Sequence, residues 1–372
     1  MKEVFNISIV IGTRPEAIKL APLILEFKKH KKFNIRTILS GQHKDMVNQV
    51  IELFNLTVDN NLLIMKENQS LNYLTSSILN KLEIEFNNFK PDLVIIQGDT
   101  TTAMAASLAA FYNQFPVAHV EAGLRTNDIY NPFPEEINRR LISQIATLHF
   151  APTNRSLENL ISSKITKNIY MTGNTVIDAL LIASGKEFKF PFEIKKNIPN
   201  QKIILATVHR RENWGDNLEN IVISLKKILD YDQSILLVFP MHKNKNIRKT
   251  INKYLENHSR AILCEPLDYS QLVGIMNKSF IVLTDSGGLQ EEAPTLGKPI
   301  LILRETTERP EVIECGAAKL VGANIENIFK NTISLIDNKK LYKSMSKVKN
   351  PFGDGKASFR IVGECLKFLE HI

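Results

Sequence analysis

The sequence predicts an α/β protein built from two doubly wound parallel-sheet domains. Three observations carry that prediction. Short apolar runs alternate with longer amphipathic stretches almost from end to end, which is the pattern of strand–helix–strand units. The short runs are continuous and rich in β-branched residues rather than alternating, as strands buried on both faces must be. The pattern also comes in two series, in a chain of 372 residues that is 44% hydrophobic, and that length favours two cores over one.

The first series opens with FNISIVIG (5–12) and continues through NIRTILSG (34–41), DLVIIQGD (92–99), VAHVEAG (117–123), LHFAPT (148–153) and KNIYMTG (167–173). The second runs through KIILATVH (202–209), SILLVFPMH (234–242), RAILCEP (260–266), FIVLTDSGG (280–288) and KPILILRE (298–305). Helical patterns such as PLILEFKKHKK, LNYLTSSILNKLEIEFNNF and NLENIVISLKKILD lie between these runs. The expected division is a first domain over 1–173 and a second over 174–355. The amphipathic stretch 356–372 is expected to return as a helix onto the first domain.

Composition narrows the function classes. Charged residues make up 23% of the chain and the formal net charge is +8, an ordinary soluble balance rather than a disordered one. The lysines are scattered and have little aromatic interleaving, which reads as a solvated surface, with nucleic acid the weaker alternative; a small anionic ligand would need only a few of these charges. No apolar run has the length of a membrane span. The N-terminal stretch is interrupted by Arg14, Glu16 and Lys19 and reads as a first strand rather than a signal peptide, so the expected compartment is the cytoplasm. Cys264, Cys315 and Cys365 have neither metal-ligand spacing nor a paired framework, and the expected metal complement is none.

In open parallel sheets, ligands bind beyond the carboxyl ends of the strands. The unusual residues of this chain fall there repeatedly: GTRPEAIK (12–19), GQH (41–43), QGDTTTA (97–103) and HVEAGLRT (119–126) in the first series, then HRREN (209–213), MHKN (241–244), TDSGG (284–288) and RETTERPE (304–311) in the second. Each has an ordinary reading, as turn glycine or helix cap, and His119 and His149 read as packed structural histidines. Their recurrence at eight strand ends predicts two ligand-facing rims. GTRPEA has neither the dinucleotide-binding nor the P-loop spacing, so a nicotinamide or simple ATP reading loses support. Arg14 and Lys19 remain as cations suited to a diphosphate or an oxyanion.

The segment TDSGGLQEE (284–292) raises a sharper question, because a glycine-rich turn suited to phosphate runs straight into two glutamates. Ser286 is expected to cap a helix that begins at Gly287, with Gly287 and Gly288 letting phosphate approach bare amides. A carboxylate one turn later repels phosphate but accepts hydrogen bonds from sugar hydroxyls. A nucleoside diphosphate meets both needs. The reading gives Glu292 to the ribose and leaves Glu291 as an ordinary helix position.

GTRPEAIKLAP, QGDTTTA, HVEAGLRT, PFPEEINRR, TGNTVIDAL, TVHRREN, TDSGGLQEEAPTLGKP and TTERPE together resemble, in order and over nearly the whole chain, the motifs of bacterial non-hydrolysing UDP-N-acetylglucosamine 2-epimerases. The resemblance implies a GT-B-like fold of two Rossmann-like domains facing a cleft, as in nucleotide-sugar glycosyltransferases. It implies UDP-GlcNAc, UDP-ManNAc and UDP as ligands, no cofactor, a homodimer, and a place in surface-polysaccharide synthesis. Carried over by motif, Asp99, Glu121, Glu135 and His209 are the catalytic set. Arg14, Lys19, Ser286, Gly287, Gly288 and Arg309 are the sugar and diphosphate contacts, Glu292 is the ribose contact, and Leu267 and Leu272 lie in a uracil-reading segment, EPLDYSQL (265–272). Gln42, Gln69, Glu136, Arg210 and His242 resemble a set that binds a second UDP-GlcNAc as activator, although Asn68 stands where regulated members carry arginine. Competing readings are a hydrolysing 2-epimerase that releases UDP and ManNAc, an epimerase of a modified acetamido sugar, a glycosyltransferase and a non-catalytic sensor. The intact RPEAIK stretch disfavours the first of these.

Overall fold

The computed structural model describes residues 2–41, 44–66, 69–126, 128–186, 189–190 and 201–371, with the backbone alone for Lys44 and Asp45. The chain divides into two compact units, Met1–Ile182 with Phe352–Ile372, and Ala183–Pro351. The sequence reading put these junctions at 173/174 and 355/356. They fall later in the first case and earlier in the second because the Asp178 carboxylate accepts from the amides of Ala357 (3.2 Å) and Ser358 (2.8 Å). Those bonds tie the start of the last helix to the segment after Gly173.

The first unit runs β1 (Phe5–Ile11), α1 (Arg14–Phe27), β2 (Phe33–Leu39), α2 (Lys44–Phe54), β3 (Asn60–Asn61), α3 (Leu71–Phe89), β4 (Leu93–Gln97), α4 (Thr101–Tyr112), β5 (Val117–Val120), α5 (Glu135–Ile145), β6 (Leu148–Ala151), α6 (Asn154–Ser162), β7 (Ile169–Met171) and α7 (Thr175–Ser184). Its seven strands form one parallel sheet in the order β3-β2-β1-β4-β5-β6-β7. β1 and β4 are mostly apolar, with Asn6 and Ser8 in the first and Gln97 closing the second, and almost wholly buried. α4 is rich in alanine and threonine, so it lies buried between α3 and α5, where a bulkier helix could not fit.

The second unit runs β8 (Lys202–Thr207), α8 (Asp216–Tyr231), β9 (Ile235–Pro240), α9 (Lys245–Leu255), β10 (Ala261–Cys264), α10 (Tyr269–Lys278), β11 (Ile281–Thr284), α11 (Gly287–Glu292), β12 (Ile300–Ile302), α12 (Pro310–Glu314), β13 (Ala318–Leu320), α13 (Ile325–Asp337) and α14 (Lys339–Ser346). Its parallel sheet has the order β10-β9-β8-β11-β12-β13. The core gathers Ile204, Leu237, Phe239, Leu283 and Leu301 from the strands with Leu225, Ile228 and Ile328 from α8 and α13. The chain then returns to the first unit, where α15 (Ala357–Glu370) packs on α1.

Two strands escaped the sequence reading. β3 is Asn-Asn and β13 is Ala-Lys-Leu, each a short edge strand held by a neighbour rather than by its own pattern. In both sheets the strand order reverses, between β1 and β4 and again between β8 and β11. The loops leaving those paired strands diverge to opposite faces and open a crevice at each sheet's carboxyl edge.

Candidate active site

At the first switch point the backbone approaches closely. A Cβ on Gly12 would lie 2.4 Å from Thr102 Oγ1, so only glycine fits between β1 and α1. The next residue, Thr13, precedes α1, and its N–H and hydroxyl both donate to Glu16 Oε2 at 2.7 Å. Glu16 Oε1 accepts from the Thr100 hydroxyl at 2.9 Å, and Thr100 also caps α4 by accepting from the Ala103 amide at 3.0 Å. Burial raises the Glu16 carboxyl to about 7, with the Asp99 charge pushing the same way against the hydrogen bonds from Thr13 and Thr100.

Around this crevice the structure places two of the three predicted carboxylates in defined company. Glu121 follows β5 with φ of +65° and is buried. Lys19 Nζ donates to its Oε1 at 2.5 Å, Asn174 Nδ2 to the same oxygen at 2.8 Å, and Gln97 Nε2 to Oε2. Lys19, read from sequence as a cation for a diphosphate or oxyanion, therefore serves Glu121. Asp99 pairs with Arg139, whose Nε lies 3.1 Å from Oδ2. Glu135 opens α5 half-buried, and its side chain makes no hydrogen bond or ion pair among the described residues. Arg14, at the first position of α1, is likewise without such a partner among them.

Glu136 is fully buried. Its oxygens accept from the Thr126 amide (2.9 Å), Arg139 Nη1 (3.1 Å) and Arg140 Nε (2.7 Å). It thus orients the arginine that pairs with Asp99. Gln69 accepts from the Lys66 amide at 3.2 Å, and Gln42 lies outside the described residues. His119 and His149 are register partners on β5 and β6 and both are buried. Burial pulls the first down to about 3 and the second to about 4, so both are neutral at physiological pH. His119 Nε2 donates to the Gly98 carbonyl at 2.7 Å and so holds the turn that presents Asp99.

The second unit's rim is organised by Asp285, which follows β11 and is fully buried. Its carboxylate accepts from the amides of His209 (3.0 Å) and Arg210 (2.9 Å) and from Asn213 Nδ2 (2.9 Å). The exposed His209 side chain therefore stands on a pinned loop. Its ring lies 6.1 Å from that of His242, and the His242 ring lies 5.9 Å from Trp214. His242 Nδ1 accepts from the Asn244 amide at 3.1 Å.

α11 begins at Gly287 as expected, but the Ser286 hydroxyl makes no capping bond. The turn is closed instead by Thr284 Oγ1, which accepts from the Ser286 amide at 3.0 Å. Gly287 faces Glu308, whose Oε1 would be 3.2 Å from an added Cβ, whereas Gly288 has only Ser286 Oγ nearby, at 3.8 Å. Glu308 accepts from Arg210 (2.6 Å) and Arg304 (2.5 Å). Burial alone would raise its carboxyl, but Arg210, Arg309 and Arg304 outweigh burial and hold it at about 2.

Glu291 is not an ordinary helix position: it is buried and pairs with Arg309. Glu292 is buried as well and accepts from the Tyr269 hydroxyl at 2.8 Å. Tyr269 opens α10 directly after Asp268, which caps that helix through the Gln271 amide at 2.8 Å. Leu267, just before the cap, is buried and Leu272 is partly so. Sequence reasoning passes over Gln97, Asn174 and Arg139, although each lies inside one of the motifs quoted above. Asp285, Arg304 and Glu308 likewise sit within quoted motifs, and nothing local marks which partner each takes.

A family model described as UDP-N-acetylglucosamine 2-epimerase matches residues 25–366. A UDP-N-acetylglucosamine 2-epimerase of Neisseria meningitidis serogroup A is 47% identical over 96% of this chain and 98% of its own. The crystal structure of the Neisseria meningitidis UDP-GlcNAc 2-epimerase bound to UDP-GlcNAc is similar at a TM-score of 0.88 and 46% identity, covering 97% of this chain and 100% of that one. A UDP co-structure of S. aureus MnaA has a TM-score of 0.89 and 41% identity, covering 99% and 98%. A kitacinnamycin glycosyltransferase shares the fold alone, at a TM-score of 0.68 and 9% identity.

Proposed function

Because the chain belongs to the UDP-N-acetylglucosamine 2-epimerase family, we propose that it interconverts UDP-GlcNAc and UDP-ManNAc reversibly, by eliminating UDP and adding it back. The observation that carries this reading is the buried Glu121 carboxylate, held by Lys19, Gln97 and Asn174 at the carboxyl edge of the first sheet. Two further carboxylates, Asp99 and Glu135, lie on the loops and helix that follow neighbouring strands. The hydrogen at C2 of the sugar has no ketone beside it, so simple deprotonation is very slow. Elimination makes its loss productive. A carboxylate takes the C2 proton, the C1=C2 bond forms, and the C1–O bond breaks with its electron pair leaving on the phosphate oxygen. The products are 2-acetamidoglucal and UDP. Re-addition returns the phosphate oxygen to C1 and delivers a proton to the other face of C2. Acid–base groups are needed for both faces, and cations for the departing diphosphate.

The relatives' structures were solved with UDP-GlcNAc and with UDP. We assign the nucleotide of this chain to the second unit's rim, with Ser286, Gly287, Gly288 and Arg309 toward the diphosphate, Glu292 toward the ribose and His209 beside the phosphate. Arg14 and the carboxylates of the first unit serve the sugar. Glu292 then exchanges its Tyr269 hydrogen bond for ribose hydroxyls or shares it with them. No step of this route needs a redox cofactor. Exposed Ile84, Phe111 and Tyr112 on α3 and α4 support assembly as a homodimer, and equilibrium sedimentation measures that directly.

Proton NMR of the protein with UDP-GlcNAc in heavy water tests the reaction. The expected result is UDP-ManNAc, with deuterium at C2 of both sugars. Free ManNAc as the main product would assign the hydrolysing reaction, and full retention of the C2 hydrogen would exclude elimination.

A further inference from the structure

We propose that Glu16 is a positioning residue that locks the β1–α1 and β4–α4 turns together and thereby sets Arg14 and Asp99 for the sugar step. A glutamate at the third position of a helix ordinarily closes a capping box, with one oxygen on its own N-cap and the other toward water. Glu16 departs from that pattern. It is 1% exposed, and only Oε2 serves its own helix, accepting from the Thr13 N–H and hydroxyl. Oε1 reaches across the switch point to the Thr100 hydroxyl at 2.9 Å.

Thr13 and Thr100 are the N-cap residues of α1 and α4. Arg14 follows the first cap and Asp99 precedes the second. One carboxylate therefore fixes the spacing of two helix starts, each carrying a residue assigned to the sugar. The close approach of Gly12 to Thr102, and a distance of 3.0 Å from its added Cβ to Glu16 Oε2, leaves the clamp no room to slide. The clamp needs acceptors and donors in the right places rather than a charge. Glutamine can supply them, accepting from Thr13 through its oxygen and donating to the Thr100 oxygen through its nitrogen. Aspartate, one methylene shorter, can serve Thr13 or Thr100 but not both.

This inference rests on the epimerase reading, and steady-state epimerisation of UDP-GlcNAc with thermal melts tests the two separately. Inactivity of the unaltered protein would count against the reaction. Given an active protein, Glu16→Asp is expected to lower kcat by roughly ten- to a hundredfold with KM within about twofold, because a small displacement of reacting groups costs that much. Glu16→Gln is expected to keep kcat within about threefold, a rescue that a need for the charge forbids. Thr100→Val removes the far anchor together with the α4 cap on the Ala103 amide and is expected to lower kcat at least as far as Glu16→Asp, while Thr100→Ser, which keeps both bonds, stays near native. Adding Thr100→Val to Glu16→Asp is then expected to lower kcat by less than the product of the two single losses, since the Glu16–Thr100 contact is lost in each. Native kcat in folded Glu16→Asp and Thr100→Val, or equal losses in Glu16→Gln and Glu16→Asp, would overturn the proposal.

Discussion

Glu121 holds a left-handed backbone conformation (φ +65°) that side chains other than glycine adopt at a cost of about 1–3 kcal/mol, kept where the surroundings over-determine it. Here the surroundings are donors: Lys19, Asn174 and Gln97 all point at its carboxylate. Glu121→Gln turns one oxygen into a donor facing donors, so it is expected to lower stability by about 1–3 kcal/mol as well as turnover. Glu135→Gln disturbs no such bond and is expected to leave the denaturation midpoint in place. Both variants, and Asp99→Asn, are expected to lower kcat by roughly 10²–10⁴ with UDP affinity by calorimetry little changed, and near-native rates would remove these residues from the chemistry. Glu16 gives a pH signature in stability. Its carboxyl is raised from 4.5 to about 7 by burial, with Asp99 adding to the rise. The folded state therefore binds the proton more tightly than the unfolded chain. The contribution is full below 4.5 and is lost as pH rises to about 7, on the order of 3 kcal/mol at most. Denaturant titrations are expected to show the unaltered protein losing stability relative to Glu16→Gln across that window, and parallel curves would exclude the shift. At this scale the sequence showed Asp99 and Glu121 at strand ends, since that place follows from local pattern, whereas Glu135 came from motif resemblance alone and its position at the start of α5 was not read. It could not pair Lys19 with Glu121, because that contact spans the fold and leaves no mark in either segment.

The loop 209–213 follows β8 and carries His209, yet it is a residue after another strand, Asp285 beyond β11, that gives it shape. A second tether runs from Arg210 and Glu212 through Arg304 and Glu308 on the loop after β12. Each tether joins strand ends that are remote in sequence, which is why motif reading found the loops but not their order of dependence. Asp285→Asn places an amide where three donors converge. It is expected to speed hydrogen exchange at the amides of 209–213, to lower kcat, and to leave the sheet amides of β8 and β11 protected. Unchanged exchange in the loop would show that the Arg210–Glu308 tether alone suffices. The same logic explains what the pattern missed among the elements. Long apolar strands and α3 were legible because periodicity is local. β3 and β13 were not, because an edge strand of two or three residues is defined by the neighbour it pairs with. The Ser286 cap failed similarly, since Thr284, two residues upstream, closes the turn instead.

Each unit is a doubly wound sheet with its own switch point, and the chain passes between the units at 182/183 and again at 351/352. That duplication was legible from the repeated run of strand ends, because parallel sheets force polar ligand-binding residues to their carboxyl edges. The division of labour between the units is a separate proposal with a separate test. Carboxylates and Arg14 gather on the first unit, whereas the Gly287–Gly288 turn and the buried Glu292–Tyr269 pair belong to the second. UDP lacks the sugar, so by hydrogen-exchange mass spectrometry it is expected to protect 209–213, 265–272 and 284–292 and to leave 97–102 and 119–126 close to their unliganded rates. UDP-GlcNAc is expected to protect both groups. The glycal must be shielded from water between elimination and re-addition, so the added protection on the first unit is expected to persist at equilibrium, when substrate and product epimers coexist. If UDP alone protects the first unit's loops as fully as the sugar nucleotide does, the nucleotide and not the sugar draws on that rim. The assignment of Asp99, Glu121 and Glu135 to the sugar would then lose its spatial basis.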